Sequence, residues 1–154
     1  MANKIKAAVI GAGHLGRHHV RVLAELDGVQ LAGVADTDFK AAKKYAKKYN
    51  ARAVKDYRKL LGEVNAVSIV TPTETHHTIA KDFLKAGCNT FVEKPITNSP
   101  AAAAELIKEA KKAGVILQVG HIERYNAAVT KVREYVKIPK FIEVNRLSKF
   151  PDRS

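Results

Sequence analysis

The run Val9-Ile10-Gly11-Ala12-Gly13-His14-Leu15-Gly16, with Asp36 twenty residues past its last glycine, has the types and spacing needed to hold a dinucleotide. Gly11 permits a tight turn, Gly13 lets the backbone come close to a pyrophosphate, and Gly16 lets the following helix pack hard against the strand. The pyrophosphate would meet unpaired N–H groups at a helix N-terminus, where the dipole favours negative charge, and the imidazole of His14 adds a donor beside it. Asp36 would accept from the adenosine ribose hydroxyls and repel a phosphate there, so the expected cofactor is NAD(H) rather than NADP(H). The competing reading is a glycine turn that merely packs a helix.

These residues need a strand before them and a helix after them, and the chain supplies both repeatedly. Strands are expected from Lys4 to Ile10, Val29 to Ala35, around Ala53-Val54, Ala66 to Val70, Asn89 to Val92 and Val115 to Val119. Helices are expected from His14 to Leu26, with Leu15, Val22, Leu23 and Leu26 toward the core, over the basic stretch from Lys40 to Tyr49, briefly after Asp56, and from Thr75 to Ala86. Another runs from Ala101 to Ala113, with Ser99 as cap, Pro100 at its first position and Gly114 after its end. Asn126 caps a last helix reaching Val136. Alternation at this spacing means an α/β protein with a doubly wound parallel sheet covered on both faces.

The chain has 154 residues, 46% of them hydrophobic and 27% charged, which suits one domain with a real core. No apolar stretch has the length of a membrane span and none reads as a signal peptide, so the expected location is the cytoplasm. The single cysteine, Cys88, excludes an internal disulfide and reads as a small buried residue. The net charge of +12 raises the possibility of nucleic acid, but Lys40, Lys43, Lys44, Lys47 and Lys48 form the solvated face of a helix whose other face is Ala41, Ala42, Tyr45, Ala46 and Tyr49. Without aromatic residues among those lysines the expected consequence is a general attraction for anionic ligands, not specific nucleic-acid binding. His18 and His19 cannot share one helix face and read as surface or packing residues, and no H-x-x-x-H pair with a helper carboxylate appears, so metal catalysis is not expected.

In a parallel sheet, ligands bind outside the carboxyl ends of the strands. Five unusual stretches fall there: Gly11 to Gly16, Asp36-Thr37, Thr71-Pro72-Thr73-Glu74-Thr75-His76, Glu93-Lys94-Pro95, and Gly120-His121-Ile122-Glu123-Arg124-Tyr125-Asn126. A lysine pinned by a proline at a strand end can hydrogen-bond a substrate hydroxyl and stabilise the alkoxide that develops as hydride leaves; the plain alternative is an exposed lysine in a turn. Glu93 is read as orienting Lys94 or contacting the cofactor. Arg124 either approaches the cofactor or a substrate phosphate through its planar fork, or makes a helix-end salt bridge.

With these residues on the page, the chain from Lys4 to about Asn126 resembles the Gfo/Idh/MocA oxidoreductase family, through Glu93-Lys94-Pro95 after a strand together with Thr71-Pro72 and His76. The resemblance implies a Rossmann fold, a catalytic role for Lys94 near the nicotinamide and the reacting sugar carbon, and a cis peptide before Pro95. Ala127 stands where the family's Arg-aromatic-Asn-Pro motif has proline. The expected cofactor-binding set is Gly11, Ala12, Gly13, His14, Leu15, Gly16, Asp36, Thr37, Thr71, Pro72, Thr73, His76, Glu93, Lys94 and Arg124. The family's companion catalytic Asp and His belong to a second domain and match nothing here. The wording from Val119 to Asn126 and from Phe141 to Ser148 is most similar to members that oxidise UDP-N-acetylglucosamine.

The implied organisation is a dinucleotide-binding domain over 1–126, a connecting helix and turn over 127–140, and a first strand of a substrate domain over 141–154. A strand beginning where the sequence ends suggests a fragment, or a homo-oligomer that pairs through it. The expected function is hydride transfer between NAD and a sugar, nucleotide sugar or polyol bound with the help of a second domain; the alternative is a non-catalytic NAD-binding or interaction module.

Overall fold

Strand β1 (Ile5–Ile10) carries only small and β-branched apolar side chains over its last four residues, and all four are buried, as a central strand covered on both faces requires. The computed structural model describes residues 4–143, 145 and 147. In it β1 pairs with β2 (Val29–Ala35) on one side and β4 (Ala66–Ile69) on the other, with β3 (Arg52–Val54) beyond β2 and β5 (Asn89–Val92) and β6 (Leu117–Val119) beyond β4. The order is β3-β2-β1-β4-β5-β6 and every pairing is parallel. The chain reverses its direction of travel between β3 and β4, which opens a crevice at the carboxyl ends of β1 and β4.

Helices α1 (Gly16–Glu25) and α2 (Phe39–Lys48) pack on one face through Val20, Ala42 and Ala46 against Val9, Leu31 and Val34. Helices α3 (Thr73–Lys85) and α4 (Pro100–Ala113) cover the other, placing Ile79, Phe83, Leu84 and Leu106 against Ile10, Val67, Ile69 and Val92. The alanine and tyrosine face expected for α2 packs as read, its tyrosines half-buried. Asp38 caps this helix, its carboxylate accepting from the N–H groups of Lys40 and Ala41.

Two sequence expectations need correction. In α1 the core-facing residues are Gly16, Val20 and, as expected, the half-buried Leu23, whereas Leu15, Val22 and Leu26 are each about half exposed. The cause is the sheet beneath. Within the unit that ends at His121, no helix covers the α1 side of β4 to β6, so Val22 and Leu23 border an open groove floored by Ser68, Phe91 and Gln118. Helix α3 starts at Thr73, two residues before the expected Thr75, because extended Pro72 serves as its cap position.

Ser99 caps α4 by accepting from Ala102 N–H at 3.2 Å, Pro100 takes the first turn, and Gly114 closes the helix at φ 67°, a left-handed conformation that favours glycine. Gly28, Gly62 and Gly87 hold the corresponding turns into β2, β4 and β5, all on the edge of the sheet opposite the crevice.

Residues up to His121 form one compact unit and those from Ile122 onward a second. The second contains a 3-10 turn (Ile122–Tyr125) and α5 (Ala127–Tyr135), whose cap Asn126 accepts from Ala128 N–H at 2.9 Å. Of the strand expected over 141–154, residues 144, 146 and 148–154 lie outside the described residues, and the described ones, 141–143, 145 and 147, are not in a strand. Among those described, no helix is long and apolar enough to cross a membrane.

Candidate functional site

The glycine loop is built by three different constraints. Gly11, at φ 97°, has no room for a side chain: a Cβ there would stand 2.4 Å from the carbonyl oxygen of Val70. Gly16 is tighter still, with a Cβ placed 1.9 Å from the carbonyl oxygen of Gly11. At Gly13 a Cβ would meet nothing within 4 Å. The first two glycines are therefore required by the fold, and the third borders open space on the ligand edge.

That space is lined with donors. Helix α1 has no side-chain cap, and the N–H groups of Gly13, His14 and Leu15 meet no acceptor among the described residues. Orphan N–H groups at a helix start are a ready site for a phosphate. Opposite them, the half-buried carboxylate of Asp36 accepts from Ala12 N–H at 2.6 Å and Asp38 N–H at 2.8 Å, which ties the end of β2 to the glycine loop and fixes the direction of the acid.

A crevice of about 580 Å³ joins Gly11, Gly13, Asp36, Thr37, Thr71 and Pro72. Its far wall contains Lys55, Tyr57 and Arg58, which the sequence reading did not single out. The Tyr57 hydroxyl donates to Asp82 at 2.7 Å, and burial, reinforced by that carboxylate, pushes the phenol up to about 12. The Arg58 guanidinium lies over its ring at 5.0 Å. Thr73, half-buried, begins α3 but does not line the crevice, whereas Glu74 and Thr75 do, and the Thr75 hydroxyl lies 2.7 Å from both the Thr71 hydroxyl and the Pro72 carbonyl oxygen.

His76 is buried behind the loops. Its Nε2 lies 2.8 Å from the Thr71 carbonyl oxygen and its Nδ1 3.0 Å from that of Pro95, so one ring clasps the loop after β4 to the loop after β5. The Lys94-Pro95 peptide is cis, as the family resemblance implies. Lys94 itself is exposed at the ligand edge, with no ion-pair partner for its ammonium among the described residues.

Glu93, in contrast, is confined. One carboxylate oxygen lies 3.3 Å from His19 Nε2, the other accepts from Lys94 N–H at 3.1 Å, and a Cβ on Gly120 would come within 2.8 Å of it. His19 reaches further, its Nδ1 lying 2.9 Å from the Ser68 hydroxyl. Burial lowers the His19 pKa, against the smaller opposing effect of Glu93. His18, its neighbour, is exposed as expected, whereas His19 is a polar junction that adjacency in sequence did not reveal. His14, Leu15 and His121 are exposed. Arg124 is an exposed residue of the 3-10 turn in the second unit.

A parallel sheet in this strand order, a glycine loop opening an uncapped helix and an acid at the end of the second strand define a dinucleotide-binding Rossmann domain. Residues 5–121 match the family described as an oxidoreductase family with an NAD-binding Rossmann fold, and the chain belongs to that Gfo/Idh/MocA family. It is 39% identical over 151 residues to UDP-N-acetylglucosamine 3-dehydrogenase of Acidithiobacillus ferrooxidans, which covers 97% of this chain and 48% of the relative. It is 30% identical over 140 residues to scyllo-inositol 2-dehydrogenase (NAD(+)) of Bacillus subtilis, covering 88% of this chain and 41% of that protein. Among solved structures, GenD2 from gentamicin A biosynthesis, in complex with NAD, superposes with a TM-score of 0.84 at 31% identity over 88% of this chain and 40% of its own. The chain thus spans less than half the length of these relatives.

Proposed function

We propose that this chain is the cofactor-binding part of an NAD-dependent dehydrogenase that moves hydride between the nicotinamide and a secondary alcohol of a sugar, nucleotide sugar or polyol. The observation that carries the reading is Lys94, an exposed ammonium without an ion-pair partner among the described residues, held at the same sheet edge as the glycine loop by a turn that His76 and Glu93 brace. NAD, when bound, supplies the hydride acceptor. The chain's own groups do the rest. The N–H groups of Gly13, His14 and Leu15 receive the pyrophosphate, with Ala12 and Gly16 shaping the loop and Gly11 its turn. Asp36 and Thr37 face the adenosine ribose, while Thr71 and Pro72 border the nucleotide from the α3 side. Lys94 donates to the substrate oxygen and stabilises the charge that develops there. Arg124 is assigned to the cofactor or to a substrate phosphate.

Within this class a nucleotide sugar is favoured by the wording of 119–126 and 141–148, and the relative named UDP-N-acetylglucosamine 3-dehydrogenase supports the same choice. The substrate-holding surface and a cytoplasmic setting belong to the same proposal, as does a homo-oligomer. The first test is a titration of the chain with NADH and NADPH. NADH is expected to bind at least ~10-fold more tightly, about 1.4 kcal/mol, and equal or reversed affinities overturn the role of Asp36. The second is Lys94→Ala in the protein that contains the substrate domain. A fall in kcat of about 10²–10⁴-fold with NADH affinity retained is expected. Binding of NADH by that protein without oxidation of any sugar or polyol would leave a binding module instead.

A further inference from the structure

We propose that His19 is a positioning residue: from the middle of α1 it sets the Glu93–Lys94 turn, and so couples the glycine-loop helix to the lysine at the opposite end of the site. The inference rests on the role given to Lys94 above and adds a side chain which that role does not require. His19 stands one turn into the helix whose N-terminus faces the crevice, and its ring points away from it, toward β4 and β5. Its two nitrogens meet different partners. Nε2 lies 3.3 Å from a Glu93 oxygen, and because a carboxylate can only accept, that polar contact favours the tautomer with the proton on Nε2; Nδ1 then presents a lone pair, which accepts from the Ser68 hydroxyl at 2.9 Å. A single neutral tautomer satisfies every group. The Phe91 ring, with its centroid 5.6 Å away and tilted by 53°, holds the imidazole plane from the floor of the groove.

Glu93 transmits the constraint. Its side chain is 12% exposed, Gly120 leaves no space beside its carboxylate, and its second oxygen accepts from the Lys94 N–H. A carboxylate so enclosed needs its hydrogen bonds, and removing His19 leaves one oxygen unmatched. The path Ser68, His19, Glu93, Lys94 N–H therefore orients the peptide that carries the lysine. Burial depresses the His19 pKa, in keeping with the neutral ring the hydrogen bonds demand.

The test compares His19→Gln, whose amide nitrogen can occupy the Nε2 position, with His19→Asn, which reaches Ser68 but not Glu93. Two readouts are taken on the 154-residue chain: the Lys94 amide resonance by NMR, and affinities for NADH and for ADP-ribose, which lacks the nicotinamide end. His19→Asn is expected to shift the Lys94 amide while NADH and ADP-ribose keep about their wild-type affinities, as they should if His19 acts only on the lysine-bearing turn, whereas His19→Gln returns the amide to about its wild-type position. Ser68→Ala, which frees the ring without deleting it, should move the Lys94 amide in the same direction by less, and it decides the matter if His19→Asn fails to fold. An unmoved Lys94 amide in a folded variant, or equal losses for NADH and ADP-ribose, overturns the proposal. If the wild-type chain binds neither ligand, the dehydrogenase reading falls, and the Lys94 amide still judges the role of His19.

Discussion

Gly13→Val and Gly16→Ala separate the two jobs of the glycine loop. At Gly13 an added Cβ meets nothing within 4 Å and the backbone is not left-handed, so the folded chain should accept valine with a change in stability within about 0.5 kcal/mol. The same side chain fills the approach to the orphan N–H groups of His14 and Leu15, and NADH affinity should fall at least ~100-fold, about 2.7 kcal/mol. At Gly16 the added Cβ stands 1.9 Å from a backbone carbonyl oxygen that is itself anchored in the β1 turn. That collision forces β1 and α1 apart, and we expect a loss of about 3 kcal/mol or more. At about 2–4 °C per kcal/mol for a domain of this size, the melting temperature should drop by about 6–12 °C. Thermal unfolding followed by circular dichroism and NADH titration by fluorescence measure both variants. Undiminished NADH binding by Gly13→Val, or an unchanged melting temperature for Gly16→Ala, would refute the division of roles.

Asp36→Asn should reduce the preference for NADH over NADPH from at least ~10-fold to near parity, since the charge that repels a 2′-phosphate is gone; an unchanged ratio in paired titrations counts against the ribose contact. Because burial lowers the His19 pKa from 6.5, the folded chain favours the neutral ring, and the stability this gives is present above that value and lost as the pH falls through it. Denaturant unfolding should therefore show stability declining as the pH falls below about 6.5, with a part that His19→Gln removes, and identical profiles for the two proteins would contradict it. Cys88, buried and pushed up to about 12 by burial, should stay unreactive toward Ellman's reagent at about pH 8 until the chain is unfolded; rapid stoichiometric labelling of the native protein would refute that.

The parts of the fold legible in the sequence are those fixed by local chemistry. Ser99, Pro100 and Gly114 mark both ends of α4, and Gly11 and Gly16 announce a tight turn and a close strand–helix contact that the structure bears out, while Gly13 borders open space. The α1 face is only partly legible because an apolar stripe does not say which of its residues the sheet reaches: Leu23 packs on the core, whereas Leu15, Val22 and Leu26 stay half exposed, and within the unit that ends at His121 the sheet beside Val22 is open. His19 was illegible for a related reason. Its partners lie 49 and 74 positions away along the chain, on β4 and just past β5, and only the parallel crossover brings them beneath α1. Lys55, just past β3, and Tyr57 and Arg58, in the 3-10 turn Tyr57–Leu60, reach the crevice; the brief helix after Asp56 is legible in the sequence, but not that it lines the site.

The turns at Gly28, Gly62, Gly87 and Gly114 give the molecule a handling side. They enter β2, β4, β5 and β6 at the edge away from the crevice, separated from it by the length of a strand, about 13 Å for the four residues of β4 and about 20 Å for the six of β1. Asp27 and Ala113, exposed beside two of these turns, are attachment points for a fluorophore, a biosensor surface or an inserted peptide. A chain tethered there presents its glycine loop, Asp36 and Lys94 outward. Immobilisation through this edge turns the domain into an oriented nucleotide sensor without a label ever entering the crevice.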